Sequence, residues 1–334
     1  MLFSSQETPL VRLLFIGRII NQYTLKSKLK NKKLVIKLVF GLALLLFIGF
    51  KLYTALSNDD FNGLNLNDGY SSLFIIAIFL MPVNWLLESL KWYILVNKIQ
   101  KQSFAITCRD VIAGVSTSLM TPNRIGNFIG RTIHMEKGVR TKAIVSTIHS
   151  NIAQFAASIL FGTIGLFFVG FDQDLLEISA VQYSAIIVLG VGLLIYYYPK
   201  IIDFNPLSKL YSAQMKESIS EVQAESLGLK SAILFLSLLR YSVFLLQFYL
   251  ILSCFESDLN IGLILPAIAV VFLITTIIPS FLFGKLFVRE ASALFILTAF
   301  NISTPVILYT VFLLWIVNLA IPSIIGCFIL IKTR

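Results

Sequence analysis

The chain has 334 residues, of which 57% are hydrophobic and 13% charged, and its mean hydropathy is +0.86. That composition leaves too little polar surface to cover a water-soluble fold, so lipid is its solvent and the chain reads as one integral membrane unit with no separate soluble domain. The net charge of +10 does not indicate a nucleic-acid partner, because the basic residues lie in short loops beside apolar runs, where positive charge marks the cytoplasmic side of a membrane.

Residues 1–33 carry Arg12, Arg18, Lys26, Lys28, Lys30, Lys32 and Lys33 beside an apolar patch at 10–20 that suits an amphipathic surface helix. They are expected to be a cytoplasmic basic segment without a cleavable signal peptide, followed by a single membrane domain over 34–331. A first span is expected at 34–56, near the roughly 20 residues that cross the hydrocarbon core. The next loop, SNDDFNGLNLNDGY, is acidic without Lys or Arg, which places it outside. A second span over 71–96 returns the chain to Lys98 and Lys101, inside.

The stretch 104–120 is apolar but short, interrupted by Arg109 and Asp110, and followed by Arg124, Arg131, Lys137, Arg140 and Lys142. A full crossing here would put those basic residues outside and the acidic FDQDLLE loop inside, both against the charge rule. Residues 104–134 are therefore expected to form a hairpin that re-enters from the cytoplasm. Further spans follow at 143–169, 181–198, 231–255 and 305–331, with a cytoplasmic loop at 199–230 expected to carry a solvated amphipathic helix. Parity then requires 263–300, broken by Pro266 and Pro279, to re-enter from outside. The expected fold is all-α, with six full spans and two opposed helical hairpins, eight membrane-embedded units in all. Both termini are expected in the cytoplasm.

Pro122, Gly126 and Arg131 follow the first hairpin's apolar arm, and Pro279, Gly284 and Arg289 follow the second's. Two broken segments entering from opposite faces point to an inverted repeat with a site near the midplane.

Ionisable groups inside spans cost about 2.5 to 3.5 kcal/mol each on insertion scales, so they are usually functional or paired. Asn84, Glu88 and Lys91 share one helical face. A Glu88–Lys91 pair reads equally as mutual neutralisation or as part of a cavity wall. Asn151, Gln154 and Ser158 form a stripe that ordinary interhelical hydrogen bonding explains. Ser237, Arg240 and Gln247 share a face, and Arg240 has no acid within a turn of its own helix, so Glu88 and Glu290 are its candidate partners. At the tip TPNRIGNFIGR, Pro122 and the glycines allow a sharp turn and close backbone approach. Helix N-termini exposed at such a break suit an anion, and Arg124 and Arg131 add planar forks suited to phosphate. Lys285, Arg289 and Glu290 repeat the combination at the second tip. Cys108, Cys254 and Cys327 lie far apart in apolar stretches and read as packing residues. His134 and His149 are too few for a histidine metal site without carboxylates. No metal and no cofactor are expected.

NWLLESLKW, TPNRIGNFIGR, RYSVFLLQF and the stretch 279–291 ending in VREA together resemble the lysylphosphatidylglycerol synthase transmembrane region family. That family is a flippase-like membrane module which occurs alone or fused to an aminoacyl transferase. The resemblance implies a protein of the bacterial cytoplasmic (inner) membrane that moves an aminoacylated or glycosylated lipid between leaflets through a polar cavity. The family tip commonly reads Gly then Glu, whereas this chain has Gly126 then Asn127, which removes a carboxylate suited to a cationic headgroup. Aminoacyl transfer is not expected of this chain.

The leading reading is a lipid translocator that binds a phospholipid or glycolipid headgroup through Arg124, Asn127, Arg131, Glu88, Arg240, Lys285, Arg289 and Glu290. The arginines would take an anionic headgroup, the two acids would balance them in the empty site, and the tips would alternate as gates. With no GxxxxGK[ST] sequence, movement would be passive or ion-coupled. The alternatives are a membrane-embedded transferase in glycolipid or envelope assembly, and a non-catalytic partner of an envelope enzyme. Membrane lipids are the expected partners, with an envelope-biosynthesis enzyme or a second copy of the chain as further candidates.

Overall fold

The computed structural model describes residues 71–119, 121, 125–173, 178–199, 212–278 and 284–332. The basic N-terminal segment, the span expected at 34–56, and Pro122, Arg124 and Pro279 lie outside the described residues. The described elements are all helical: α1 (Ser71–Val96), α2 (Phe104–Leu119), α3 (Gly126–Arg131), α4 (Arg140–Gln173), α5 (Ile178–Tyr197), α6 (Ala213–Gln223), α7 (Leu227–Ser253), α8 (Ile261–Ile277), α9 (Gly284–Leu297), α10 (Thr304–Trp315) and α11 (Ile321–Lys332). Among the described residues, four helical stretches are long and apolar enough to cross a membrane: Ser72–Val96, Lys137–Val169, Leu227–Ser253 and Thr304–Lys332. The protein is a multi-pass, all-α membrane protein.

α1 shows how lipid sorts the sequence. Ile75, Phe79, Val83, Leu86 and Leu90 are exposed, while Asn84, Glu88, Lys91, Trp92 and Leu95 are buried. Steps of three and four place each set on its own face. The apolar face meets lipid and the polar face turns into the bundle, where its groups find partners.

Both expected helix–break–helix units are present. α2 and α3 pack on each other, as do α8 and α9. α2 has 16 residues, α8 17 and α9 14. At 1.5 Å per residue each is about 26 Å or shorter, less than the roughly 30 Å hydrocarbon core. Such arms suit segments that enter the bilayer and stop. α2 is an interior element that buries Thr107, Asp110, Ser116 and Ser118, polar groups that a lipid-facing helix could not carry.

Glycines set the depth of the first hairpin. A Cβ on Gly126 would lie 1.9 Å from the Thr117 carbonyl oxygen, and one on Gly130 2.4 Å from the Gly114 Cα. α3 therefore seats directly on the backbone of α2, held by Thr117 Oγ1 donating to the Gly126 carbonyl at 2.6 Å. The same device joins α4 to α8, where Gly162 and Gly165 face Leu273 and the Pro266 carbonyl. Close approach through small residues is the usual means of helix association in lipid.

The last span contains a π-helical turn, Ile316–Ala320, between α10 and α11. Pro322 has no N–H to give the Asn318 carbonyl four residues earlier, and the wider turn accommodates that break. Asn318 Nδ2 donates to Gln247 Oε1 at 2.6 Å, and Gln247 Nε2 donates to the Ala77 carbonyl at 2.7 Å. This chain of amides ties the last span through α7 to α1.

One boundary differs from the sequence expectation. The helix expected to begin near residue 231 starts at Leu227, N-capped by Ser226, whose hydroxyl accepts from the Leu229 N–H. Lys230, expected in the cytoplasmic loop, is consequently buried in the first turn of α7, where its ammonium donates to the Tyr197 and Gln223 carbonyls. It satisfies C-terminal carbonyls of the two preceding helices, which have no partners within their own helices.

Candidate functional site: a buried cation cluster around Glu88

The centre of the site is the Glu88 carboxylate on α1. Lys91 Nζ lies 3.1 Å from Oε2, Arg240 Nη1 of α7 lies 2.9 Å from the same oxygen, and Arg131 Nη2 of α3 lies 2.5 Å from Oε1. Three cations meet one carboxylate, and the side-chain exposures are 3% for Glu88, 1% for Lys91, 4% for Arg131 and 13% for Arg240. The ion-paired groups, with Lys91 protonated, therefore carry an excess of two positive charges in a buried interior.

Each cation is also held from outside the carboxylate. Arg131 Nε donates to Asn127 Oδ1 at 3.0 Å, one turn back on α3, and its guanidinium lies 5.8 Å from the Trp92 ring centroid. Arg240 Nε donates to Asn84 Oδ1 at 2.7 Å, and its guanidinium lies over Trp85 and Phe244 at 5.3 and 5.4 Å. Lys91 donates to Ser237 Oγ at 3.0 Å. Gln154 Oε1 of α4 sits 3.4 Å from both Lys91 Nζ and Arg240 Nη1. Aromatic faces stabilise a guanidinium without neutralising it. Space for α3's two polar side chains comes from Gly114, where a Cβ would lie 2.7 Å from Asn127 Oδ1 and 3.0 Å from Arg131 Cγ.

Four N–H donors of these same residues meet no acceptor among the described residues: Arg131 Nη1, Asn84 Nδ2, Trp85 Nε1 and Trp92 Nε1. Buried polar atoms are nearly always hydrogen-bonded, and acceptor oxygens are what four orphaned donors beside three cations lack.

A second carboxylate stands beside the cluster. Asp110 of α2 is fully buried; His134 Nδ1 lies 2.5 Å from its Oδ1, and Gln102 Nε2 donates to its Oδ2 at 3.2 Å. Its oxygens are thus held by His134 and Gln102, and the pair ties the start of α2 to the chain just after α3.

Of the residues singled out in the sequence, Glu88, Asn127, Arg131 and Arg240 come together here. Of the two acids expected to meet Arg240, Glu88 is the one that does. Lys285, Arg289 and Glu290 lie on α9, which packs against α8 and α10. The Arg289 guanidinium lies over the Phe272 ring at 5.2 Å, and α9 contributes no partner to Glu88. Sequence reasoning left out Trp85, Trp92 and the Asp110–His134 pair. The seven-residue spacing of the tryptophans on the Glu88 face was the available signal for the first two. Among the described residues no group of three or more His, Cys, Asp or Glu is placed to hold a metal ion.

The bundle and its buried charge cluster define a class: a polytopic helical membrane protein with a cation-rich cluster in its interior. The model of the lysylphosphatidylglycerol synthase TM region family matches residues 34–326, nearly the whole chain, and the protein belongs to that family. No curated protein and no solved structure matches it.

Proposed function

We propose that the protein binds an anionic lipid headgroup at the Glu88 cluster and moves it between the leaflets of the bacterial inner membrane. The observation that carries this reading is the convergence of Lys91, Arg131 and Arg240 on one buried carboxylate, with orphaned N–H donors around them. An uncompensated charge in lipid is too costly to be retained for packing alone. Glu88 holds the three cations in place when no lipid is bound, and the headgroup phosphate shares them when it arrives. Asn127 orients Arg131 from the hairpin. Arg124 would extend the same anion surface at the tip, and Lys285, Arg289 and Glu290 would form the gate on the opposite side. The family's name and the short arms of the two hairpins, which fit alternating access around a midplane site, both support this reading.

The experiment is a proteoliposome assay with fluorescent lipids of several headgroups, comparing the wild type with Arg131→Lys and Arg289→Ala. Arg131→Lys keeps the charge and loses the planar fork. Headgroup-dependent movement by the wild type, reduced at least tenfold in Arg131→Lys, is the expected result. A wild-type protein that moves no lipid above protein-free vesicles would sink the reading.

A further inference from the structure

Resting on the reading above, we infer that the preferred ligand is a lipid whose headgroup carries two negative charges, a phosphomonoester or a diphosphate, rather than a singly charged phosphodiester. The inference comes from counting charge and hydrogen-bond valence at the site. Glu88 contributes one negative charge against Lys91, Arg131 and Arg240. Arginine stays protonated in proteins, so the excess cannot be relieved at Arg131 or Arg240. Asp110 makes no ion pair with any of the three cations: its oxygens are held by His134 and Gln102. Asn127 does not cancel the excess either: its neutral amide oxygen occupies the position on Arg131 Nε that a carboxylate could fill. With Lys91 protonated, the groups in mutual contact therefore carry an uncompensated charge of two.

The hydrogen-bond count agrees. Four of the cluster's five orphaned atoms, Arg131 Nη1, Asn84 Nδ2, Trp85 Nε1 and Trp92 Nε1, are donors, and the fifth, Glu88 Oε2, is already ion-paired to Lys91 and Arg240. A phosphodiester offers two unsubstituted oxygens, whereas a phosphomonoester offers three and a diphosphate more, so the doubly charged headgroups answer both counts. Charge-assisted bonds to oxyanions are the stronger kind, and in a dry interior the second charge is felt strongly. The aromatic rings beside both guanidiniums leave room for no further protein carboxylate on those faces.

Binding is measured by thermal shift and by displacement of a fluorescent lipid, with the full chain in uncharged detergent at pH 7. The probes are phosphatidic acid and a short prenyl phosphate as monoesters, a prenyl diphosphate, phosphatidylglycerol as diester, and inorganic phosphate and pyrophosphate. The variants are Asn127→Glu, which adds a carboxylate beside Arg131, and Lys91→Met, which removes one cation. The expected wild-type result is monoester and diphosphate lipids binding at least about tenfold tighter than phosphatidylglycerol. That ratio should fall to about one in Asn127→Glu, which leaves every existing partner of Glu88 in place and so tests the count even where Lys91→Met fails to fold. Equal affinity for monoester and diester lipids in the wild type overturns this inference and leaves the anionic-headgroup reading standing. Failure of every lipid probe overturns both. Inorganic phosphate or pyrophosphate binding as tightly as the lipids overturns the lipid source of the headgroup, and an unchanged ratio in Asn127→Glu overturns the charge count.

Discussion

Arg131 donates to Glu88 across 43 positions of sequence, joining the short arm of the first hairpin to the polar face of the first described span. Glu88 thereby couples the seating of the hairpin to the state of the cluster: any ligand that competes for Arg131 also loosens α3 from α1.

Removal of that carboxylate leaves three buried cations with no counter-charge. Glu88→Ala is expected to destabilise the protein by about 3 to 5 kcal/mol, as breaking one side of a buried ion pair does. Thermal melts in detergent measure this, and added lipid phosphate should restore part of the loss in the variant more than it stabilises the wild type. Equal stabilisation of both would show that the ligand and Glu88 do not share the same cations.

Gly126→Ala drives a methyl group into the Thr117 carbonyl, whereas Gly138→Ala adds one where no atom lies within 4 Å. The first should cost at least about 1 to 3 kcal/mol from overpacking and lower lipid binding together with stability. The second should be silent in both. Melting temperature and ligand displacement on the pair separate hairpin seating from general sensitivity to mutation.

Glu225 lies between α6 and α7, outside the spans, with one carboxylate oxygen buried and without a hydrogen-bond partner among the described residues. Burial holds its pKa above the ordinary glutamate value, although Lys98, Lys230 and Lys142 pull the other way. The folded state therefore binds the proton more tightly than the unfolded one. The associated stability is present below the unfolded value of about 4.3 and is lost as pH rises through the raised folded value. Glu225→Gln should match the wild type near pH 4 and exceed it in melting temperature at pH 8. A parallel pair of stability curves would contradict this.

Gln247→Leu removes the amide that serves both Ala77 and Asn318. The orphaned partners should cost about 1 to 3 kcal/mol. A loss in the Gln247→Leu, Asn318→Leu double variant equal to the sum of the two single-variant losses would show that the two amides act independently. A smaller loss in the double variant, where neither amide is left unpaired, is the expected result.

Cysteine labelling tests the sidedness read from charge. In a background with Cys108, Cys254 and Cys327 replaced by serine, a cysteine in place of exposed Gly138 should react only from the cytoplasmic side, and one in place of exposed Asp258 only from outside. Labelling of both from one side would refute the opposed arrangement of the hairpins.

Hydropathy and charge determined much of this protein by themselves, because lipid imposes rules that act on short stretches. Apolar length reports spans, basic loops report sidedness, and every costly polar group inside a span announces itself. Thus α1, α4, α7 and the last span were legible, as were both broken segments, and Glu88, Arg131 and Arg240 stood out one by one. The tertiary structure alone decided which of them meet. Glu88 and Lys91 share a helix, but Arg131 and Arg240 reach the same carboxylate from segments 43 and 152 positions away, and no local pattern encodes that distance. It also separated Arg289 and Glu290 from the cluster, although their residue types matched those of the first tip, since α9 packs against α8 and α10. Trp85 and Trp92 enter the site through the guanidiniums over their rings. Their part in the site depends on packing between helices, which a single stretch of chain does not contain.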